Sequence, residues 1–206
     1  MSTFLAPRAK DAVVEAVRAV EDASSVEVVV AVRGRSDAYR DVDYLVGVFL
    51  AIVTISILIF HPAPLDEALM PLETLFAFLG GSMLASIPAC KRVLVPGKRL
   101  RGRTLEAARA QFVESGIARK RTRTGILIYV SLLERQAHMV ADTGVHTSAL
   151  GAAFAEQTQA LDAAVAQNDV DAFAAALKAM APMLAKEHPR IRGQVNELPD
   201  APEVKA

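Results

Sequence analysis

Residues 44–60 read YLVGVFLAIVTISILIF, and residues 72–90 read LETLFAFLGGSMLASIPAC. The first stretch carries no charge, and the second carries only Glu73, close to its start. A helix of about 20 apolar residues, rising 1.5 Å per residue, crosses a bilayer core of about 30 Å. Two such stretches, joined by the short segment His61–Pro71, predict a transmembrane hairpin.

The alternative is a pair of core helices in a water-soluble protein, because apolar stretches of this length also occur there. The first stretch argues against it, since it is apolar all the way round and rich in Val and Ile, which cost little in lipid. The second contains Gly80, Gly81 and Pro88, which are tolerated when a neighbouring helix packs against the glycines.

The basic residues predict the orientation of the hairpin. The connection 61–71 has Asp66 and Glu67 but no Lys or Arg, whereas basic residues flank both spans: Arg33, Arg35 and Arg40 before, and Lys91, Arg92, Lys98, Arg99, Arg101 and Arg103 after. The positive-inside rule then places both termini in the cytoplasm of a multi-pass inner-membrane protein. Residues 1–23 lack the apolar core of a signal peptide, and the lone Cys90 indicates a chain without disulfides.

The chain has 206 residues and a formal net charge of zero, and about 150 of its residues remain for one water-soluble domain. Four segments are predicted: 1–40 as the first part of that domain, 41–95 as the hairpin, 96–190 as the rest of the domain, and 191–206 as a loose tail.

Local patterns predict the elements of the soluble part. Helices are expected at 7–23, 148–166 and 170–187, with Pro182 kinking or shortening the last one, and a further helix is expected to be capped by Thr104 and closed by Gly116. Strands are expected at 26–32, 125–131 and 137–141. This order predicts an α/β fold, a small α/β/α sandwich interrupted by the hairpin.

A resemblance supports this fold. The chain resembles the TPM domain family, in its bacterial integral-membrane branch, at these residues: Ser25–Val30, Gln111-Phe112, Arg123–Ile128, Ser131-Leu132, Glu134-Arg135, Ala141-Asp142, Gly144 and Asn196–Asp200. The resemblance implies a TPM-like sandwich. Because some members of that family are linked to phosphatase activity, some bind calcium and others assist membrane complexes, it implies no single function.

Asp142-Thr143-Gly144 is the most chemically suggestive triplet. An aspartic protease would need a second such triplet or a dimer, in an all-β context that the alanine-rich helices exclude. The structural interpretation is an aspartate that caps a turn after a strand, with Gly144 at positive φ. A third interpretation is a calcium or magnesium site formed by Asp142 with Glu27, Asp41 and Asp43.

Other site classes receive less support. His61, His138, His146 and His188 lack the spacing of zinc ligands. Lys98, Arg99, Arg101, Arg103, Arg123 and Arg135 are candidates to contact phosphate or anionic lipid head groups. Nucleic acid is not an expected partner, because no aromatic residues interleave with the basic run.

A line of small residues that includes Gly81 and Ala85 permits close helix contact, either within the hairpin or with a second copy or another membrane protein. Two functions therefore remain. The first is a membrane protein with a cytoplasmic TPM-like accessory domain, modulated by a divalent metal ion. The second is a membrane-bound, metal-dependent phosphatase.

Overall fold

The computed structural model describes residues 3–62, 66–119, 122–190 and 202–205. In chain order the elements are α1 (Pro7–Ala23), β1 (Glu27–Arg33), α2 (Arg40–Phe60), α3 (Met70–Ser86), α4 (Pro88–Leu94), α5 (Gly97–Glu114), β2 (Gly125–Ser131), β3 (Gln136–Ala141), α6 (Thr147–Gln167), α7 (Val170–Ala179), α8 (Ala181–Glu187) and β4 (Glu203–Lys205). The chain forms two compact units, 1–36 with 101–206 and 37–100. These divisions lie close to the predicted limits of the inserted segment.

The first unit is built on a sheet with strand order β3-β2-β1-β4. Strand β1 is parallel to β2 and β4, and β2 is antiparallel to β3. Every residue of β1 and β2 is buried, as their continuous apolar sequences predict. The prediction of a mixed α/β fold is therefore confirmed.

Successive side chains along a strand point to opposite faces of the sheet, so the buried residues of β1 and β2 lie on both faces. Helices cover both faces for this reason. Val28, Val30 and Val32 share one apolar core with residues of α1, α6, α7 and α8, in which Phe173 meets Phe4 edge to face at 5.4 Å. Val29 and Ala31 share the second core with Ala108 of α5.

Two local predictions need correction. Helix α5 begins at Gly97, and Thr104 is a fully buried residue inside it rather than its cap. The interruption predicted at Pro182 is confirmed: the segment 170–187 forms two helices, α7 and α8, since Pro182 cannot continue an α-helical ladder. The predicted loose tail fails at 203–205, which form β4, while its residues 191–201 and 206 lie outside the described residues.

The second unit contains α2, α3 and α4. The second apolar stretch is not one continuous helix, because α3 ends at Ser86 and α4 runs at 90° to it. Pro88 explains the break: it lacks an N–H group, and its ring displaces the preceding residue into extended backbone. Ile87 accordingly has φ −64° and ψ 130°.

Candidate functional site

Asp142 lies directly after β3, with its side chain 2% exposed. Its Oδ1 accepts the Thr143 backbone N–H at 2.7 Å and lies 3.2 Å from Nε of Arg123. Its Oδ2 is buried and has no hydrogen-bond partner in the described part of the chain. Asp142 is thus a buried carboxylate that is balanced by one guanidinium group.

The backbone geometry of Gly144 differs from the prediction. Gly144 is not among the residues with positive φ in the described ranges. Instead, a Cβ on Gly144 would lie 2.6 Å from the carbonyl oxygens of both Thr122 and Arg123. Glycine is needed here because the two backbone segments touch, and the Gly144 N–H donates to the Arg123 carbonyl at 2.8 Å.

Glu27 and Asp142 lie in one row across the sheet. Glu27 pairs with Gly125, and the Asp142 N–H donates to the Gly125 carbonyl at 2.9 Å. With strands about 4.8 Å apart, the two acidic residues are separated by roughly 10 Å of backbone. The space over Gly125 is filled, since a Cβ there would lie 2.3 Å from Cγ2 of Ile117.

The other two predicted metal ligands belong to the second unit. Asp43 Oδ2 accepts from Nζ of Lys91 at 2.9 Å, and Asp41 forms a bidentate pair with Arg99 at 2.7 and 2.9 Å. Among the described residues, no three His, Cys, Asp or Glu side chains are grouped closely enough to hold a metal ion. Within the second unit, Asp41 and Asp43 are therefore each paired with a basic residue.

Most of the predicted phosphate-binding or lipid-binding residues are in ion pairs instead. Arg101 bonds Asp162 at 3.3 Å, and Arg103 bonds Glu106 at 3.0 Å. Lys98 is exposed. Arg123 and Arg135 lie beyond opposite ends of β2, whose seven residues span roughly 20 Å, so they do not share one anion.

A polar cluster that the sequence analysis missed joins the carboxyl ends of β1 and β2. The Ser36 N–H donates to Glu134 Oε1 at 3.0 Å, the Ser36 hydroxyl to Ser131 Oγ at 3.0 Å, and the Ser131 hydroxyl to Glu134 Oε2. Burial raises the pKa of the Tyr129 phenol, although its hydrogen bond with Ser36 acts in the opposite direction. Ser131 and Glu134 belong to the segment that resembles the TPM family, but the sequence did not indicate that they meet Ser36.

A second missed cluster holds β4 on the sheet. The Arg33 guanidinium is 11% exposed and donates to the carbonyl of Glu203 at 2.9 Å and to its carboxylate at 3.2 Å. Gln111 completes the cluster, accepting from Arg33 and donating to Glu203 Oε2 at 3.0 Å. No local pattern links residues that lie so far apart in the chain.

Two histidines meet although their spacing matches no motif. The rings of His146 and His188 lie 5.5 Å apart, and the His146 backbone N–H donates to His188 Nε2 at 3.3 Å. Burial, reinforced by the neighbouring His146, lowers the pKa of His188. The neutral ring of His188 is thus the form that fits the folded chain.

We expect the first unit to lose stability as the pH falls below about 6.5, the usual pKa of histidine in an unfolded chain. The folded His188 binds its proton only at lower pH, so its contribution is complete above pH 6.5 and decreases toward its folded pKa. Burial also lowers the pKa of His138, which acts in the same direction. Urea unfolding at several pH values would measure the slope. In His188→Gln, whose amide oxygen can accept the same N–H, the slope should be shallower; an unchanged slope would contradict the assignment.

The second unit is held together by small residues. A Cβ on Gly47 would lie 2.7 Å from the Phe78 carbonyl oxygen, and one on Gly81 would lie 3.2 Å from the Gly47 Cα atom. Helices α2 and α3 are therefore in backbone contact. Gly81 packs against Gly47 of the same chain, and Ala85 is 1% exposed. Neither residue is therefore available for contact with a second copy, which the line of small residues had allowed.

Gly47→Val should separate α2 from α3, since its Cβ would overlap backbone that cannot rotate away. Overpacking of this kind costs about 1–3 kcal/mol. Gly80→Val is a matched control, because nothing lies within 4 Å of a Cβ at that position. Disulfide trapping between cysteines placed on the two helices would report their separation. Equal trapping in both variants would show that the backbone contact does not hold the pair.

Helix α2 is long and apolar enough to cross a membrane: an 18-residue stretch of it has a mean hydropathy of 2.5, and only 6% of that stretch is buried. Helices α3 and α4 meet the same criterion only as a pair, across their 90° bend. The described residues therefore include one candidate span and, if the bent pair counts as a single segment, a second.

Comparison with known proteins supports the fold alone. No family model and no curated protein matches the chain. The NMR structure of the BA42 protein from the psychrophilic bacterium Bizionia argentinensis is similar to this chain, with a TM-score of 0.59 and 14% sequence identity, over 98% of this chain and 97% of that one. The chain is thus similar in fold to a solved bacterial protein.

Proposed function

We propose that this chain is a multi-pass protein of the inner membrane, anchored by a hairpin of α2 and α3, whose α/β unit is a TPM-like accessory domain. One observation carries the proposal. Among the described residues, every large apolar side chain that is exposed, apart from Val113, lies in the second unit. Soluble monomers rarely expose contiguous apolar patches above a few hundred Å². Lipid is the solvent in which this surface is stable.

The direction of insertion follows from charge. The connection between the spans carries no Lys or Arg, whereas basic residues precede α2 and follow α3. Both termini, and with them the α/β unit, are on the cytoplasmic side in this proposal. The buried polar residues of that unit, such as Glu134 and Arg33, bond other parts of its own fold. Because the hydrogen bonds of these groups are directed into the fold, they support an accessory domain over an enzyme in this proposal.

Thiol labelling in cells tests this topology. With Cys90 changed to Ser, a cysteine at His61 should react with an impermeant maleimide added outside the inner membrane, and one at Val113 should react only after the membrane is opened. The protein should stay in the pellet after alkaline extraction. Release by alkali, or labelling of Val113 from outside, would refute the proposal.

The phosphatase alternative requires a divalent metal ion, and the described residues do not fit a calcium site, which takes six to eight oxygens. Asp142 has one buried oxygen without a partner, but Ile117 fills the space between it and Glu27. We therefore expect no thermal stabilisation by calcium or magnesium. Binding at a hundred times the dissociation constant would add about 2.7 kcal/mol. A shift that disappears in Asp142→Asn would restore the metal-dependent alternative.

A further inference from the structure

We propose that α4 lies along the cytoplasmic surface of the bilayer, with Val93 and Leu94 inserted among the acyl chains of a leaflet that contains anionic phospholipid. This inference rests on the proposed function, in which α2 and α3 cross the membrane. It assigns to residues 88–94 a role different from that of a span: they hold the corner of the hairpin at the membrane surface.

The 90° bend between α3 and α4 determines how α4 runs relative to the membrane. Helix α3 has 17 residues and is about 26 Å long, close to the thickness of the hydrocarbon core. The chain has therefore almost crossed the core by Ser86. A helix at 90° to one that crosses the bilayer runs parallel to the membrane plane.

The ion pair between Lys91 and Asp43 determines the depth of α4 relative to the membrane surface. Lys91 of α4 donates to the Asp43 carboxylate at 2.9 Å and also to the carbonyl of Ala38. Asp43 lies in the first turn of α2, one residue before the apolar stretch begins. Helix α4 is thereby held level with the end of α2 that enters the membrane, so both lie at the same membrane surface.

The exposed side chains of α4 indicate which molecules contact it. Val93 is 86% exposed and Leu94 is 44% exposed. An apolar groove of about 440 Å³ continues from them onto α2 and α3, and it is lined by Val46, Leu84, Ala85, Ala89, Cys90, Val93 and Leu94. This continuity with the lipid-facing helices favours acyl chains as the occupant.

Charge favours an anionic leaflet. Residues 88–103 contain six Lys or Arg and no Asp or Glu. Interfacial helices with this character bury an apolar face about 5–10 Å into the boundary between head groups and acyl chains. Exposed Lys98 lies just beyond α4, in the first turn of α5, and in this proposal it meets head-group phosphates.

Depth-dependent fluorescence quenching tests the proposal on the full chain, reconstituted in vesicles of phosphatidylcholine and phosphatidylglycerol. In the Cys90→Ser background, an environment-sensitive dye is attached to single cysteines that replace Phe76 on α3, Val93 on α4 and Val113 on α5. All three side chains are more than half exposed, so the dye disturbs little packing. The quenchers are aqueous iodide, a doxyl lipid labelled near the carbonyls, and one labelled near the chain end.

At Val93 we expect a blue-shifted emission, loss of iodide quenching and strongest quenching by the shallow doxyl lipid. A dye at Phe76 should respond to the deep quencher, and a dye at Val113 to iodide. If Val93 matches Val113 while Phe76 remains deep, α4 is in water and this inference fails alone. If Val93 is as deep as Phe76, α3 and α4 form one straight span and the inference also fails. If all three respond to iodide, the proposed membrane anchor itself fails. Vesicles of phosphatidylcholine alone should weaken the blue shift at Val93, and an equal shift would remove the anionic-lipid part.

Discussion

Replacing Lys91 with methionine is expected to detach α4 from the start of α2. Methionine preserves most of the apolar stem but leaves the Asp43 carboxylate, whose side chain is 13% exposed, without its ammonium partner. Removing one member of a buried ion pair typically costs about 3–5 kcal/mol. Because Asp43 also lies at a helix N-terminus, where backbone dipoles favour a negative charge, we expect the lower end, about 3 kcal/mol.

Cys90, next to Lys91 and the sole cysteine, provides the measurement. A loss of about 3 kcal/mol should raise the fraction of chains with α4 detached by about 100-fold, and the maleimide reaction rate at the partly exposed Cys90 should rise with it. The double variant Lys91→Met with Asp43→Leu should react slowly again, because it removes both charges. Arg99→Met, which breaks the more exposed pair with Asp41, should have only a small effect. A rate in Lys91→Met equal to that of the native chain would show that the pair does not hold the corner.

Ile52→Arg is expected to impair membrane insertion strongly. Ile52 lies near the middle of α2 with its side chain 58% exposed. In a soluble protein an exposed substitution of this kind changes stability by about 0.5 kcal/mol or less. At the centre of a membrane-spanning helix the arginine costs about 2.5–3.5 kcal/mol, and the favourable contribution of isoleucine is lost as well.

An insertion assay on α2 with its native flanks would measure this difference. The ratio of inserted to non-inserted chains should fall by about 100-fold or more, and the full-length protein should become partly extractable by alkali. Val113→Arg is the matched control, since Val113 is 68% exposed but lies outside the second unit. It should leave membrane retention unchanged. Equal behaviour of the two variants would indicate that α2 lies in water.

Patterns confined to a few neighbouring residues predicted much of the fold. The apolar spacing of α1 and the β-branched sequences of β1 and β2 identified those elements almost to the residue, because helix and strand periodicity are properties of adjacent side chains. The same holds for the apolar composition of α2. Prediction of the candidate sites was weaker: acidic residues were chosen for their chemical type, and the structure shows that each of Asp41, Asp43 and Asp142 bonds a basic residue.

By itself, the sequence determined most of the helices, the apolar segments and three of the four strands that the structure describes, since those preferences act over one or two turns of chain. Tertiary structure alone decided which residues that are distant along the chain come into contact. It brought Glu203 to Arg33, His188 to His146 and Lys91 to Asp43, and it placed Gly144 against the carbonyl of Arg123. These contacts join residues that are distant along the chain, and their geometry depends on how whole elements pack. The physical reason is that burying apolar surface brings the elements together, and the polar groups enclosed between them must then find partners there.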